Sequence, residues 1–457
     1  MNDLTSCTRF FHPLSKSFAK QSAVLPNYIN QNGWLAFQFG LFFLPSSAFL
    51  AVCLFLPALI FSNASRPDLL WKDHWNIPFF VVSLLMICGA INAYTGWLAV
   101  VGLGNWLPFF WMFIFAQPYL STGKARARAA FCLVAGTLPV FVTGFGQLWW
   151  GWSGPWNLLG GLIVWFLPPG GQPIGRLSGL FDYANIAGAW LALVWPFSLA
   201  LLLQVRINRL QRAVAFTFVV FIVIAAALTD SRNAWGGLVL ALPFVIGPMR
   251  WYWLLPLLGC LLLPVVFASL SFFPPQLQDL SRRLVPESIW SRLSDLRYGD
   301  SRILASTRIR QWQMALQIIS ERPLLGWGAA AFSVLYPLKT GQWHGHAHNL
   351  PLDLAVSHGL PVAVIFVGTV VALLITTLKR GVLLKGVSSS CDIGEKIFDR
   401  AWWTSSFVLL AMHGTDMPFF DSRINIAGWI LLSGLRCMLI NVNDQKITSS
   451  LTLNDVQ

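Results

Sequence analysis

Residues 352–378 read LDLAVSHGLPVAVIFVGTVVALLITTL, and from Gly359 to Leu378 the stretch carries no charged side chain. About twenty apolar residues in a helix cross a hydrocarbon layer ~30 Å thick, a length that no helix of a soluble domain needs to keep free of charge. The segment 352–378 is therefore predicted to be one membrane-crossing helix. Ala213 to Leu228 is a second block of the same kind. With 56% hydrophobic and only 11% charged residues among 457, the chain has too little charge to coat a soluble domain of its size. The expected fold class is all-α: a polytopic membrane protein.

Lys and Arg number 31 against 18 Asp and Glu. That excess does not point to nucleic acid, because the basic residues sit in short clusters between apolar blocks, as membrane topology requires. Three clusters serve as cytoplasmic anchors: Lys124, Arg126 and Arg128; Arg206, Arg209 and Arg212; Lys379, Arg380 and Lys385. An even number of crossings must separate each from the next. The apolar stretches 129–150 and 185–204 supply two; 213–229, 233–248, 251–270 and 352–378 supply four, with Arg250 as an anchor between them.

Trp34 to Phe61 is interrupted by Pro45, Ser46 and Ser47, and parity favours two short helices over one kinked one. Adding 78–97, 102–120, 402–415 and 424–441 gives about twelve helices with both termini cytoplasmic. The polar first thirty residues, with Arg9, Lys16 and Lys20, lack the apolar core and cleavage site of a secretory signal. The expected organisation is a cytoplasmic segment 1–33, helices one to nine over 34–270, a large loop 271–351 on the non-cytoplasmic side, helices ten to twelve over 352–441, and a cytoplasmic tail 442–457.

Candidate chemistry gathers in the segments expected on the outer side. The 271–351 loop carries Arg282, Arg283, Arg292, Arg297, Arg302, Arg308, Arg310 and Arg322. Guanidinium forks suit phosphate and stay charged at any working pH, so a phosphate-bearing partner is implied over a merely solvated basic surface. Arg176 in GRLSGLFDYANIAG and Arg232 in TDSRNAWGG lie near helix ends on the same side, where an arginine can also simply snorkel to the interface. The loop ends in HGHAHN, with His344, His346 and His348. These three fit metal ligands, a solvated cluster, or one general base that takes a proton from a hydroxyl as it attacks.

Asp182, Asp230, Asp353, Asp416 and Asp421 are the acidic groups near the same face, read mainly as helix caps or arginine partners. No DxD pair argues for a divalent metal, and no cofactor is implied. None of Cys7, Cys53, Cys88, Cys132, Cys260, Cys391 and Cys437 lies in the large loop, so no disulfide framework is expected. Most of the tryptophans, such as Trp149, Trp150, Trp152 and Trp156, read as interface anchors.

Over roughly residues 170 to 435 the sequence resembles the O-antigen ligase and O-antigen polymerase superfamily, membrane glycosyltransferases that use polyprenyl-diphosphate-linked glycans. His348-Asn349, nine residues, and Gly359-Leu360-Pro361-Val362 follow the spacing of the ligases, departing at Val362, where the family has Gly, Thr or Tyr. The run from Arg308 to Trp312, the segment Arg322-Pro323-Leu324-Leu325-Gly326-Trp327-Gly328, the Ser231-Arg232 pair and GRLSGLFDYANIAG are similar to the family's as well. The resemblance implies a GT-C-like fold in a bacterial inner membrane and metal-independent, inverting glycan transfer on the periplasmic face. The donor would be an undecaprenyl-type diphosphate glycan, and the acceptor a lipid A-core or another glycan.

On this resemblance His348, Arg308 and Arg176 would be catalytic, and Arg232, Arg310, Asn349 and Asp182 would bind substrate. The same superfamily includes cyanobacterial proteins labelled as inorganic-carbon transporters, whose Arg-Ile-x-x-Trp and Arg-Pro-x-x-Gly-x-Gly pattern is similar. Transport is thus the second reading, and a non-catalytic glycan- or lipid-binding membrane protein the third.

Overall fold

A computed structural model describes residues 29–65, 73–205, 207–270, 272–294, 307–382 and 393–454. The described chain is mostly helical. The first helices are α1 (Gln31–Phe43), α2 (Ala48–Ser65), α3 (Asn76–Ile91), α4 (Trp97–Leu103), α5 (Leu107–Phe115), α6 (Gly123–Gly136) and α7 (Leu138–Trp149). A short antiparallel hairpin of β1 (Trp156–Leu158) and β2 (Ile163–Trp165) follows, Trp156 opposite Trp165. Then come α8 (Ala184–Leu202), α9 (Arg209–Leu228), α10 (Arg232–Ile246) and α11 (Trp251–Ser269). The expected long loop holds α12 (Pro275–Leu284), α13 (Glu287–Leu293), α14 (Arg308–Glu321) and α15 (Ala331–Thr340). The chain continues through α16 (Leu350–His358), α17 (Leu360–Thr377), α18 (Ile393–His413) and α19 (Ser422–Asn454).

Among the described residues, six helical runs are long and apolar enough to cross a membrane: Trp97–Phe115, Gly123–Trp149, Ala184–Leu202, Arg209–Leu228, Pro248–Ser269 and Leu360–Thr377. The apolar helices Ala48–Asn63, Asn76–Ile91 and Arg232–Ile246 are shorter. The stretch interrupted at Pro45 to Ser47 does form two helices, α1 and α2. They pack against each other and against Tyr119, whose hydroxyl donates to the Ala58 carbonyl at 2.6 Å. The run through α6 and α7 is broken at Thr137, because Pro139 brings no N–H to the first turn of α7.

At the centre lies α8, buried along nearly its whole length and packed on α9, α10 and α18. Its polar contacts are few and paired: Trp190 Nε1 donates to Thr137 Oγ1 at 3.1 Å, and Ser405 Oγ to the Leu193 carbonyl at 2.6 Å. Helix ends sort into two sets. At one end Arg126 grips Asp399 with two bonds of 2.8 and 3.0 Å, and Arg400 donates to the Val245 carbonyl at 3.1 Å. This joins the starts of α6 and α18 to the end of α10. At the other end Leu177 N–H donates to the Leu228 carbonyl at 2.8 Å, and Asn349 Nδ2 to the Gly414 carbonyl at 2.9 Å. The starts of α8, α10 and α16 thus meet the ends of α9 and α18.

The stretch 352–378 is not one helix. Gly359 has φ 90° and divides it into α16 and α17, and only α17 has the length and composition of a crossing. The cause is a tertiary contact. The segment Arg322 to Gly328 runs alongside the break, with Leu360 N–H donating to the Pro323 carbonyl at 2.8 Å, Trp327 N–H to Val356 at 2.9 Å and Gly328 N–H to Ser357 at 2.9 Å. A Cβ on Gly359 would lie 2.1 Å from the Leu324 carbonyl oxygen. Two motifs separated in sequence are thereby one local structure. Gly359→Ala is expected to cost ~1–2 kcal/mol from the left-handed backbone alone, and more from the clash, which a lowered melting temperature in detergent will show.

Candidate active site

The turn before α16 begins with a backbone that a β-carbon-bearing residue seldom adopts: His348 has φ 51°. Two neighbours hold it there. Asn349 caps α16 by accepting from Leu352 N–H at 3.0 Å, while its Nδ2 ties the turn to the Gly414 carbonyl at the end of α18. His346 Nδ1 accepts the His348 N–H at 3.3 Å, and the two imidazoles stand edge to face with centroids 4.3 Å apart.

Asp416, just past α18, organises what lies in front of this turn. Its Oδ1 is 2.9 Å from His348 Nδ1 and also accepts the Met417 N–H at 2.9 Å. Its Oδ2 takes a bond from Asn185 Nδ2 at 3.4 Å and lies 3.6 Å from Arg308 Nη2. Burial pushes the Asp416 carboxyl up, but the His348 hydrogen bond and charge, the Arg308 guanidinium and the Met417 N–H outweigh it and bring it to about 2. A carboxylate only accepts, so Nδ1 of His348 carries the proton and Nε2 is left as the basic nitrogen.

Arg176 closes the network. It donates to Asn185 Oδ1 at 2.6 Å and to the carbonyls of Thr229 at 2.8 Å and Asp230 at 3.1 Å. Arg176, Asn185, Asp416, His348 and Arg308 are thus linked through one chain of polar contacts, with Arg308 also bonded to the Thr415 carbonyl. Asp230 has φ 48°, and Arg292 from α13 binds its carbonyl at 3.2 Å and its carboxylate at 3.3 Å.

These groups border a cavity of about 1550 Å³. One end presents Arg176, Arg232, Arg292, Arg308, His344 and His348. The other is an apolar wall from α8, α9 and α10, including Trp195, Val223, Ala226, Trp235, Leu238 and Leu242. Cationic forks and a hydrocarbon surface in one space suit an amphiphile with an anionic head.

Of the residues nominated from sequence, Arg176, Arg232, Arg308 and His348 line this cavity. Asn349 supports the turn from behind. Arg310 and Asp182 are exposed and are not among the residues bordering the cavity. Asn185 was not singled out, although it lies inside the quoted GRLSGLFDYANIAG stretch; Asp416 was one of five acids with nothing to separate it from the rest. Among the described residues, no group of three or more His, Cys, Asp or Glu is arranged to hold a metal ion.

Burial above all, then the neighbouring His348, pulls the His346 imidazole down from 6.5 to about 4, against the opposing pull of Asp416. A neutral ring is what its acceptor role at His348 N–H requires. Because the folded value lies below the ordinary one, the unfolded turn binds more protons in between. The stability that His346 contributes is complete above pH 6.5 and is lost as pH falls through about 4. Hydrogen exchange over residues 344–349 is expected to lose protection across that window.

Residues 217–367 match the family model described as O-antigen ligase. No curated protein matches the chain. The matched stretch contains Arg232, Arg308 and His348 but stops short of Asp416, and Arg176 and Asn185 precede it. With the candidate base and three of the cavity arginines, Arg232, Arg292 and Arg308, inside the match, this third of the chain is similar to the O-antigen ligase family.

Proposed function

We propose that this protein is a membrane glycosyltransferase of O-antigen ligase type that moves a glycan from a polyprenyl-diphosphate donor to a lipid or glycan acceptor on the periplasmic face. The observation that carries this reading is the two-ended cavity, with Arg176, Arg308 and His348 at its polar end and an apolar wall from α8 to α10 continuing from them. The diphosphate lies against the arginines, with Arg232 beside them, and the first isoprene units lie along the wall.

In the reaction an acceptor hydroxyl oxygen attacks the anomeric carbon from the side opposite the diphosphate. The new C–O bond forms as the C–O bond to the phosphate breaks, so the configuration inverts. His348 Nε2 takes the hydroxyl proton, and Asp416 steadies the imidazolium through Nδ1–H. The leaving electron pair ends on the diphosphate, where fixed guanidinium charge meets developing negative charge without needing to reorient. Arginines thereby take the part that a divalent ion plays elsewhere, and the transfer proceeds without metal.

A transporter wants ionisable groups along its path through the bilayer. Here the charged residues of the cavity gather at one end, which favours chemistry at a surface. The test is reconstitution of the purified protein in liposomes with a polyprenyl-diphosphate oligosaccharide and a lipid A-core acceptor in EDTA. Glycan-modified acceptor on a gel is the expected product. Elongated donor instead makes the protein a polymerase, and no product from an active donor turns the reading to transport.

A further inference from the structure

The segment from Trp149 to Gly175 carries no Asp, Glu, Lys, Arg or His, and its only side chains with hydrogen-bonding amides or hydroxyls are Ser153, Asn157 and Gln172. Beyond Trp149, the last residue of α7, it forms the β1–β2 hairpin and its flanks, outside every helix with the length and composition of a crossing. Yet it exposes large apolar side chains: Phe166 is 65% exposed, Leu159 64%, Leu162 54% and Ile174 85%. A loop facing water does not keep this many large apolar side chains exposed in one short uncharged segment without a partner.

The hairpin is held in place. Trp165 Nε1 donates to the Ser46 carbonyl in the α1–α2 turn at 2.9 Å, and Gln147 Nε2 to the Pro168 carbonyl at 2.8 Å. Its apolar surface is also continuous with the helices of the bundle. Trp149 stacks on Phe145 with centroids 4.8 Å apart, and Phe145 meets Phe221 of α9 at 5.7 Å. At its other end the segment supplies Pro173, Ile174 and Gly175 to the rim of the cavity beside Arg176.

We propose that this hairpin lies in the outer boundary of the bilayer, its tip among lipid headgroups and upper acyl chains, and forms the lipid-side threshold of the cavity. The partner is a lipid leaflet. Absence of charge, tryptophans at the base and aliphatic side chains at the tip suit the headgroup boundary, where amphipathic rings reside and charged groups are costly. A glycan platform is the other partner that exposed tryptophans suit, but sugar recognition needs polar side chains around the ring, and this segment has almost none. The inference rests on the membrane character of the chain and not on glycosyl transfer.

The test places an environment-sensitive fluorescent amino acid at residue 162 of the full chain in phosphatidylcholine liposomes, with the same label at Gln317, on the exposed face of α14, as the aqueous reference. Size exclusion in detergent confirms that both labelled proteins remain folded. The expected result is blue-shifted emission at 162, quenched by nitroxide placed high on the lipid acyl chain and shielded from aqueous iodide. Emission at 162 that matches residue 317 and is quenched by iodide overturns the proposal. So does a blue shift that appears only when soluble oligosaccharide is added, which makes the hairpin a glycan platform.

Discussion

Replacing His348 by alanine is expected to lower turnover of the lipid-linked donor by about 10²–10⁴-fold, the usual contribution of a positioned general base. The loss should fall on kcat, because the arginines and the apolar wall that bind the donor are untouched. Single-turnover transfer in liposomes, with the melting temperature followed in parallel, separates this from unfolding. Asp416→Asn keeps the size of the side chain, but an amide neither holds Nδ1–H as a charge-assisted acceptor nor steadies the imidazolium. Its loss should lie between wild type and His348→Ala. Full activity in His348→Ala would remove the base from the mechanism and leave only the binding roles of the cavity.

Arg308→Ala is expected to cost about 10²–10³ in turnover, the scale found when one preorganised donor to a developing negative charge is removed. Arg308 is well suited to show a chemical effect, since its side chain is one-third exposed (33%) and its partner Asp416 keeps its bonds to His348 and the Met417 N–H. Arg308→Lys should recover part of the loss, because the charge stays while the second fork is gone. Arg176→Ala should behave differently. Arg176 is buried and serves the Thr229 and Asp230 carbonyls and Asn185 Oδ1. Leaving such acceptors unpaired costs ~1–3 kcal/mol each, so that variant should lose melting temperature as well as turnover. An Arg308→Ala protein with unchanged turnover and unchanged donor binding would move the leaving-group role to Arg176, Arg232 or Arg292.

The membrane class and most of the helical segments were legible in the chain because hydrocarbon length is a local property: an apolar run either reaches across or does not. The turn at Pro45 to Ser47 was legible for the same reason, with parity deciding what local preference left open. Arg176, Arg232, Arg308 and His348, which line one cavity, all fall in segments that the sequence reading expected on one side.

What the chain did not disclose depends on direction and on contact. Arg308 and Arg310 are equivalent as sequence, but two residues along an α-helix turn the side chain by about 200°, so α14 can turn only one of them to the cavity. Asp416 was one acid among five until the end of α18 was seen to meet the HGHAHN turn. Gly359 reads as part of a crossing until the Arg322 to Gly328 segment occupies the space its Cβ would need. Composition and apolar length determined that this is a helical membrane protein with cationic groups and an imidazole on one side. Only the tertiary structure decided which carboxylate orients that imidazole, which arginines face it and where the long apolar helix breaks, because each depends on partners far apart in the chain.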